Sequence, residues 1–122
     1  SALARALEML SRERGSARRV AVLGEMLELG DQSVALHEAC GRTAAASGIS
    51  VLVTVGGDAA RKLGEAAMAA GMDPRSVAHV ATSVEAAEVV AALVDDGDVV
   101  LVKGSRGVKT EQVVERLVAV RG

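Results

Sequence analysis

Apolar residues recur along this chain with two periods, and each change of period marks where an element begins or ends. Residues 2 to 14 place Leu3, Leu7 and Leu10 four and three apart with Arg5, Glu8 and Arg12 elsewhere, which predicts an amphipathic helix ending at Gly15. Arg19 to Gly24 (RVAVLG) is instead a short apolar run closing on glycine, the form of a parallel strand covered on both faces. Beyond GEMLELGDQS a helical pattern occupies 34 to 47 and stops at Gly48, after which Val51 to Val55 (VLVTV) repeats the strand signature and runs into Gly56-Gly57. A third helix is predicted from Asp58 to Gly71. Pro74 cannot continue it, and a weaker extended segment follows over Val77 to Ala81. Thr82-Ser83 with Glu85 and Glu88 has the form of a helix start, the acids lying where the helix dipole favours them; this helix is expected to reach about Asp95. Asp98 to Lys103 (DVVLVK) predicts a fourth strand, followed by GSRGVK and a last amphipathic helix carrying Val113, Val114, Leu117 and Val118.

A helix followed by four strand-helix units implies right-handed crossovers and parallel pairing. The expected fold is α/β: a Rossmann-like, open, mainly parallel sheet of about four strands in the order 3-2-1-4, with helices on both faces. No linker or repeat interrupts it, and 122 residues suit a single domain spanning 1–122. Half the residues are apolar, yet Phe, Tyr and Trp are absent, so the core must be built from Ala, Val, Leu, Ile and Met. That favours close packing of helix on sheet. Missing rings also argue against single-stranded nucleic acid and membrane surfaces as partners. Net charge is −2, with 14 basic and 16 acidic residues intermixed, so any anion site has to be local. Cys40 is the only cysteine, which excludes an intramolecular disulfide and a cysteine-rich metal site. No apolar stretch is long enough to span a bilayer, and a soluble, cytoplasmic monomer is expected.

In open sheets of this kind, ligands bind beyond the carboxyl ends of the strands where the strand order reverses. The order 3-2-1-4 puts that point between the first and fourth strands, whose exits are Gly24 to Gly30 (GEMLELG) and Lys103 to Gly107 (KGSRG). The loop of Lys103, Gly104, Ser105, Arg106 and Gly107 combines two cations, a hydroxyl and two glycines that let backbone N–H groups approach, ahead of a helix; this is a candidate anion site. The plainer reading is a solvated turn. Glu25 and Glu28 are candidates to hold an amine, a ribose hydroxyl or one of the two cations, against the alternative of ordinary surface acids. His37 lies more than a turn into its helix, where a lone histidine is more often structural unless its ring reaches the crevice. Neither GxGxxG nor GxxxxGK[ST] occurs, Gly56-Gly57-Asp58 reads best as a tight turn capping a helix, and Cys40 reads as a small core residue. No metal site and no complete catalytic constellation are predicted in the chain.

At these two exits the sequence resembles a known family. AVLGEMLELGDQS with His37 and Gly41 beyond it, and LVKGSRG, look like the two signature segments of the third domain of the Mur ligases, in the branch that adds D-alanyl-D-alanine to UDP-N-acetylmuramoyl-tripeptide. The likeness covers nearly the whole chain, including the opening helix SALARALEML. It implies a bacterial reaction in which ATP phosphorylates the tripeptide carboxylate and the dipeptide amine attacks the acyl phosphate, giving an amide, ADP and phosphate. The resemblance assigns ATP and Mg2+ mainly to a central domain and the UDP-sugar to a first domain, neither of which this sequence resembles. The chain alone is therefore expected to be inactive and to need no cofactor, and it looks like an excised third domain. By the same resemblance Lys103, Ser105 and Arg106 would hold the dipeptide carboxylate or neutralise developing phosphate charge, with Glu25, Glu28 and His37 at matching positions. Glu25 stands where the family more often has Asp, and VKTEQVV departs from the usual Met-Glu pairing. A free-standing nucleotide or amino-acid binding module, a protein-contact scaffold, and the third domain of another Mur-type or folylpolyglutamate-type ligase are the competing readings.

Overall fold

The computed structural model describes residues 18–25, 33–94 and 98–103. The helices expected at the two ends of the chain, together with Glu28, Gly104, Ser105 and Arg106, lie outside the described residues. Within them the order is β1 (Arg19–Gly24), α1 (Ser33–Ala46), β2 (Val51–Val55), α2 (Asp58–Ala69), β3 (Val77–Val80), α3 (Ser83–Leu93) and β4 (Val99–Lys103). The four strands form one sheet in the order β3-β2-β1-β4, every pair parallel, as the crossover helices require.

Strand side chains alternate between two helical layers. Ala21, Leu23 and Leu52 face Cys40, Ala44, Leu63 and Ala67 of α1 and α2, while Val20, Val22, Val53 and Val55 face Ala86, Ala87 and Val90 of α3. Helices therefore cover both faces. Leu23, Leu52 and Leu63 are fully buried, worth about 2 kcal/mol each in apolar surface removed from water. With no rings to accommodate, alanines set the helix-to-sheet spacing. α1 and α2 approach closely at Gly41, where a β-carbon would stand 2.1 Å from the Leu63 carbonyl oxygen. The glycine of the histidine-glycine pattern thus has a packing cause.

Local signals fix the element ends. Gly48, with φ of +73°, follows α1 where the sequence predicts a stop. Thr82 caps α3: its Oγ1 accepts from the Glu85 backbone N–H at 3.2 Å and donates to the Glu85 carboxylate at 3.1 Å. A single 3-10 turn at Pro74–Ser76, capped by Asp73, intervenes before β3. The amino-terminal edge of the sheet is closed by long-range bonds. Ser50 N–H donates to the Arg19 carbonyl and Val99 N–H to the Arg18 carbonyl. The Arg18 guanidinium donates to Asp98 Oδ2 through Nε and Nη2 at 3.2 and 2.8 Å, and Nη2 also donates to the Leu93 carbonyl. With that edge stapled, the polar strand exits lie at the other end.

Candidate functional site

From β1 the chain passes to β2 and then β3 on one side, and it returns to β4 on the other. The reversal lies between β1 and β4, where open α/β sheets place their ligands. Leu23 is the register partner of Lys103, so the exits of β1 and β4 leave the sheet side by side. Lys103 is exposed at the last position of β4. It follows Val99 and Leu101, which pack toward α1 and α2, so alternation puts its side chain on that face.

Glu25, one residue beyond β1, turns toward β2 instead. Its N–H donates to the Val55 carbonyl at 2.9 Å, which extends the β1–β2 ladder past the last strand residue. Its Oε2 accepts from the Gly57 N–H at 2.9 Å. Gly57 is the N-cap of α2 and has no side chain with which to cap it, so a carboxylate 32 residues away in sequence fills the place at the positive end of the helix dipole. Gly56, at φ of +135°, makes the seat: a β-carbon there would lie 2.8 Å from Glu25 Cβ. The Gly56-Gly57 turn therefore caps a helix, as the sequence suggests, but the capping group comes from another strand.

His37 sits in the second turn of α1 with no exposed surface. Its Nδ1, which must carry the proton to bond a carbonyl, donates to the Ser33 backbone oxygen at 2.6 Å. Cys40 is buried as expected, and burial pushes its thiol above the ordinary value.

A second polar group was not singled out in the sequence. Thr54 on β2 is fully buried and is the register partner of His79 on β3. Its Oγ1 lies 2.8 Å from His79 Nδ1 beneath α2. Burial, followed by the positive charge of Arg61, pushes His79 below its ordinary 6.5, while a backbone bond to Gly56 and the charges of Glu25 and Glu65 act in the opposite sense. The only advance signal was a threonine inside an otherwise apolar strand. The exits of β1, β2 and β3 are thus linked: Glu25 holds Gly57, Gly56 N–H donates to the Val80 carbonyl at 3.0 Å, and His79 lies beside Gly56.

Two surface depressions lie elsewhere. One of about 350 Å3 is lined by Ala45, Ile49, Ser50, Met72, Asp73 and Ser76, and one of about 230 Å3 lies outside α1 and α2 near Glu38, Arg42 and Ala66. Neither includes a strand exit. Among the described residues no three His, Cys, Asp or Glu side chains converge, and no helix is long and apolar enough to cross a membrane.

Comparison with known proteins bears on the same two exits. The family model for the Mur ligase, glutamate ligase domain, matches residues 1–106, a span that includes the first exit and the second as far as Arg106. The chain is 32% identical over 117 residues to the UDP-N-acetylmuramoyl-tripeptide–D-alanyl-D-alanine ligase of Bacillus subtilis, covering 93% of this chain and 24% of that protein. It is 39% identical over 92 residues to the ligase of the same name from Mycobacterium leprae, covering 75% of this chain and 18% of that protein. The crystal structure of the MurF ligase from Thermotoga maritima in complex with ADP superposes with a TM-score of 0.76 at 26% identity, covering 98% of this chain and 25% of the other. The chain spans about a quarter or less of the length of these relatives. With its strand order, its paired exits and a family match over most of its length, the chain belongs to the Mur ligase family, as the glutamate ligase domain of those enzymes.

Proposed function

We propose that this chain is the carboxy-terminal domain of an ATP-dependent ligase that joins D-alanyl-D-alanine to UDP-N-acetylmuramoyl-tripeptide in the bacterial cytoplasm. Residues 1–122 act in it as one domain. The observation that carries the reading is the register of Leu23 with Lys103, which sets the two exits that resemble the family's signature segments on either side of the β1–β4 reversal. Identity to UDP-N-acetylmuramoyl-tripeptide–D-alanyl-D-alanine ligases over most of the chain supports the choice of substrate.

In this reading the domain supplies half a site, and closure onto the rest of the enzyme completes it. The Lys103 ammonium, exposed at the end of β4, attracts the dipeptide carboxylate or the charge that develops on phosphate, and Ser105 and Arg106 extend the same anion site. ATP would supply the phosphoryl group that activates the tripeptide carboxylate, leaving ADP; this chain's part is to orient the dipeptide so that its amine meets the activated carbonyl and phosphate leaves. The described residues offer no carboxylate cluster that fits Mg2+, which the proposal leaves with the ATP-binding part of the enzyme.

The test is ADP release dependent on D-alanyl-D-alanine in the full-length ligase. Lys103→Ala removes a charge-assisted contact of about 1.5–3 kcal/mol, so kcat/KM for the dipeptide should fall by about tenfold or more, through KM if Lys103 holds the dipeptide carboxylate and through kcat if it meets developing phosphate charge. An unchanged kcat/KM removes Lys103 from the site. Submicromolar ATP binding by the 122-residue chain alone, measured by calorimetry, would favour an independent nucleotide-binding module instead.

A further inference from the structure

We propose that Glu25 is a positioning residue: its carboxylate locks the exit of β1 to the turn between β2 and α2, and so fixes the point at which the chain leaves β1 beside the strand that carries Lys103. The inference rests on the functional reading above for what the crevice does, and on the geometry alone for what Glu25 does.

Three observations carry it. Glu25 is bound to the exit of β2 twice, by its backbone N–H to Val55 and by Oε2 to Gly57, so neither the main chain nor the side chain can swing without breaking a bond. The turn that receives it has no side chains: a β-carbon at Gly56 would come within 2.8 Å of Glu25 Cβ and 3.0 Å of Oε2, and one at Gly57 within 3.3 Å of Oε2. Gly56 is required by its positive φ and by its closeness to Glu25 Cβ, whereas a β-carbon at Gly57 would only crowd the movable end of the carboxylate. Finally, the helix it caps has no capping side chain of its own, so Glu25 completes the N-terminus of α2 as well as the exit of β1. Since Gly56 N–H in turn donates to Val80, the lock passes to the edge strand, and three of the four strand exits share one frame. The fourth carries Lys103. Glu25 thus fixes the first residue beyond β1, the strand whose neighbour β4 ends in Lys103.

A glutamate that acts by holding Gly57 needs an acceptor of the right length, whereas one that binds the dipeptide amine needs its charge. Glu25→Gln keeps the first and loses the second; Glu25→Ala loses both. In the 122-residue chain, Glu25→Ala should speed hydrogen exchange at the Gly57 amide by about tenfold or more, and Glu25→Gln should restore most of the protection. In the full-length ligase, Glu25→Ala should lower kcat/KM for D-alanyl-D-alanine, and Glu25→Gln should recover most of that loss. The proposal is overturned if Gln raises the dipeptide KM as much as Ala does, or if Gly57 exchanges at the wild-type rate in Glu25→Ala. Should the Ala variant fail to fold, Gly57 protection and kinetics in the Gln variant decide alone. A wild-type ligase without dipeptide-dependent ADP release would defeat the functional reading and leave the Gly57 measurement to judge Glu25.

Discussion

Gly41→Ala sets two effects of known sign against each other. Within a helix, alanine is favoured over glycine by about 1 kcal/mol, so propensity alone predicts stabilisation. Packing predicts the reverse: the new β-carbon would stand 2.1 Å from the Leu63 carbonyl oxygen and 3.0 Å from Ala66 Cβ, where ordinary contact begins at 3.4 Å. The obstacle is backbone, which cannot turn aside, so α1 has to retreat from α2 by roughly 1 Å and loosen the layer formed by Cys40, Ala44, Leu63 and Ala67. Overpacking of this kind costs typically 1–3 kcal/mol, and a clash with a main-chain oxygen belongs at the upper end, about 3 kcal/mol. The net expectation is a loss of about 2 kcal/mol, or roughly 8 °C in Tm at about 4 °C per kcal/mol for a domain of this size. Thermal and urea unfolding followed by circular dichroism would measure it. A variant as stable as the wild type, or more so, would show that the helices do not meet at Gly41 as described, and the whole α1–α2 layer would need to be redrawn.

Other expectations follow from the buried polar and thiol groups. Thr54→Val keeps the shape of the side chain but leaves His79 Nδ1 without the hydroxyl at 2.8 Å, and should cost about 1 kcal/mol in urea unfolding; no change would mean that the pair contributes nothing. Because the folded chain holds His79 below the 6.5 of an unfolded histidine, the unfolded state binds more protons as the pH falls through that range. Its contribution is thus complete above about pH 6.5 and is lost as pH drops through the folded value, so stability should decline from pH 7.5 toward 5.5 and His79→Gln should flatten the decline; equal slopes in both proteins would refute the assignment. Cys40, buried and with its thiol pushed up, should react with a disulfide reagent at least roughly a hundredfold more slowly in the native chain than in concentrated guanidinium. Rapid native modification would place it outside the core.

Much of the architecture was legible because each element carries its own signal. RVAVLG gave β1 with both ends correct, since the apolar run is bounded by Arg18 and by the residues that follow Gly24. The parallel order followed from helical segments too long for hairpins. Ends were less sharp where neighbours intervene: α3 stops at Leu93 rather than near Asp95, and β4 begins at Val99 because Asp98 is taken up by Arg18. The site was readable only as a location. Periodicity put Cys40 in the core but had no means of showing that Gly41 would meet α2. Nothing near Glu25 announces that its partner is an amide 32 residues away, and the Thr54–His79 pair exists only once the β2–β3 register is set. His37, where the sequence favoured a structural histidine, is fully buried with Nδ1 bonded to the Ser33 carbonyl of its own helix, a partner that helical spacing alone could have suggested.

The route by which the sheet closes has a kinetic consequence. Arg19 and Ser50, which join β1 to β2, are 31 residues apart, whereas Arg18 and Asp98, which join β1 to β4, are 80 apart. Closing the longer loop costs only about 0.8 kcal/mol more in chain entropy. Its timing differs more, because non-local pairing waits for the structure that shortens the search. The β1–β2–β3 half, with α1 and α2 on one face, is expected to assemble first, and β4 to dock last along β1. Pulse-labelled hydrogen exchange should then find β2 amides protected before those of β4. The seam completed last is the one that opens onto the crevice, so a ligand bridging the two exits would act as a latch on the final folding step, and occupancy of the site would slow unfolding of the whole domain.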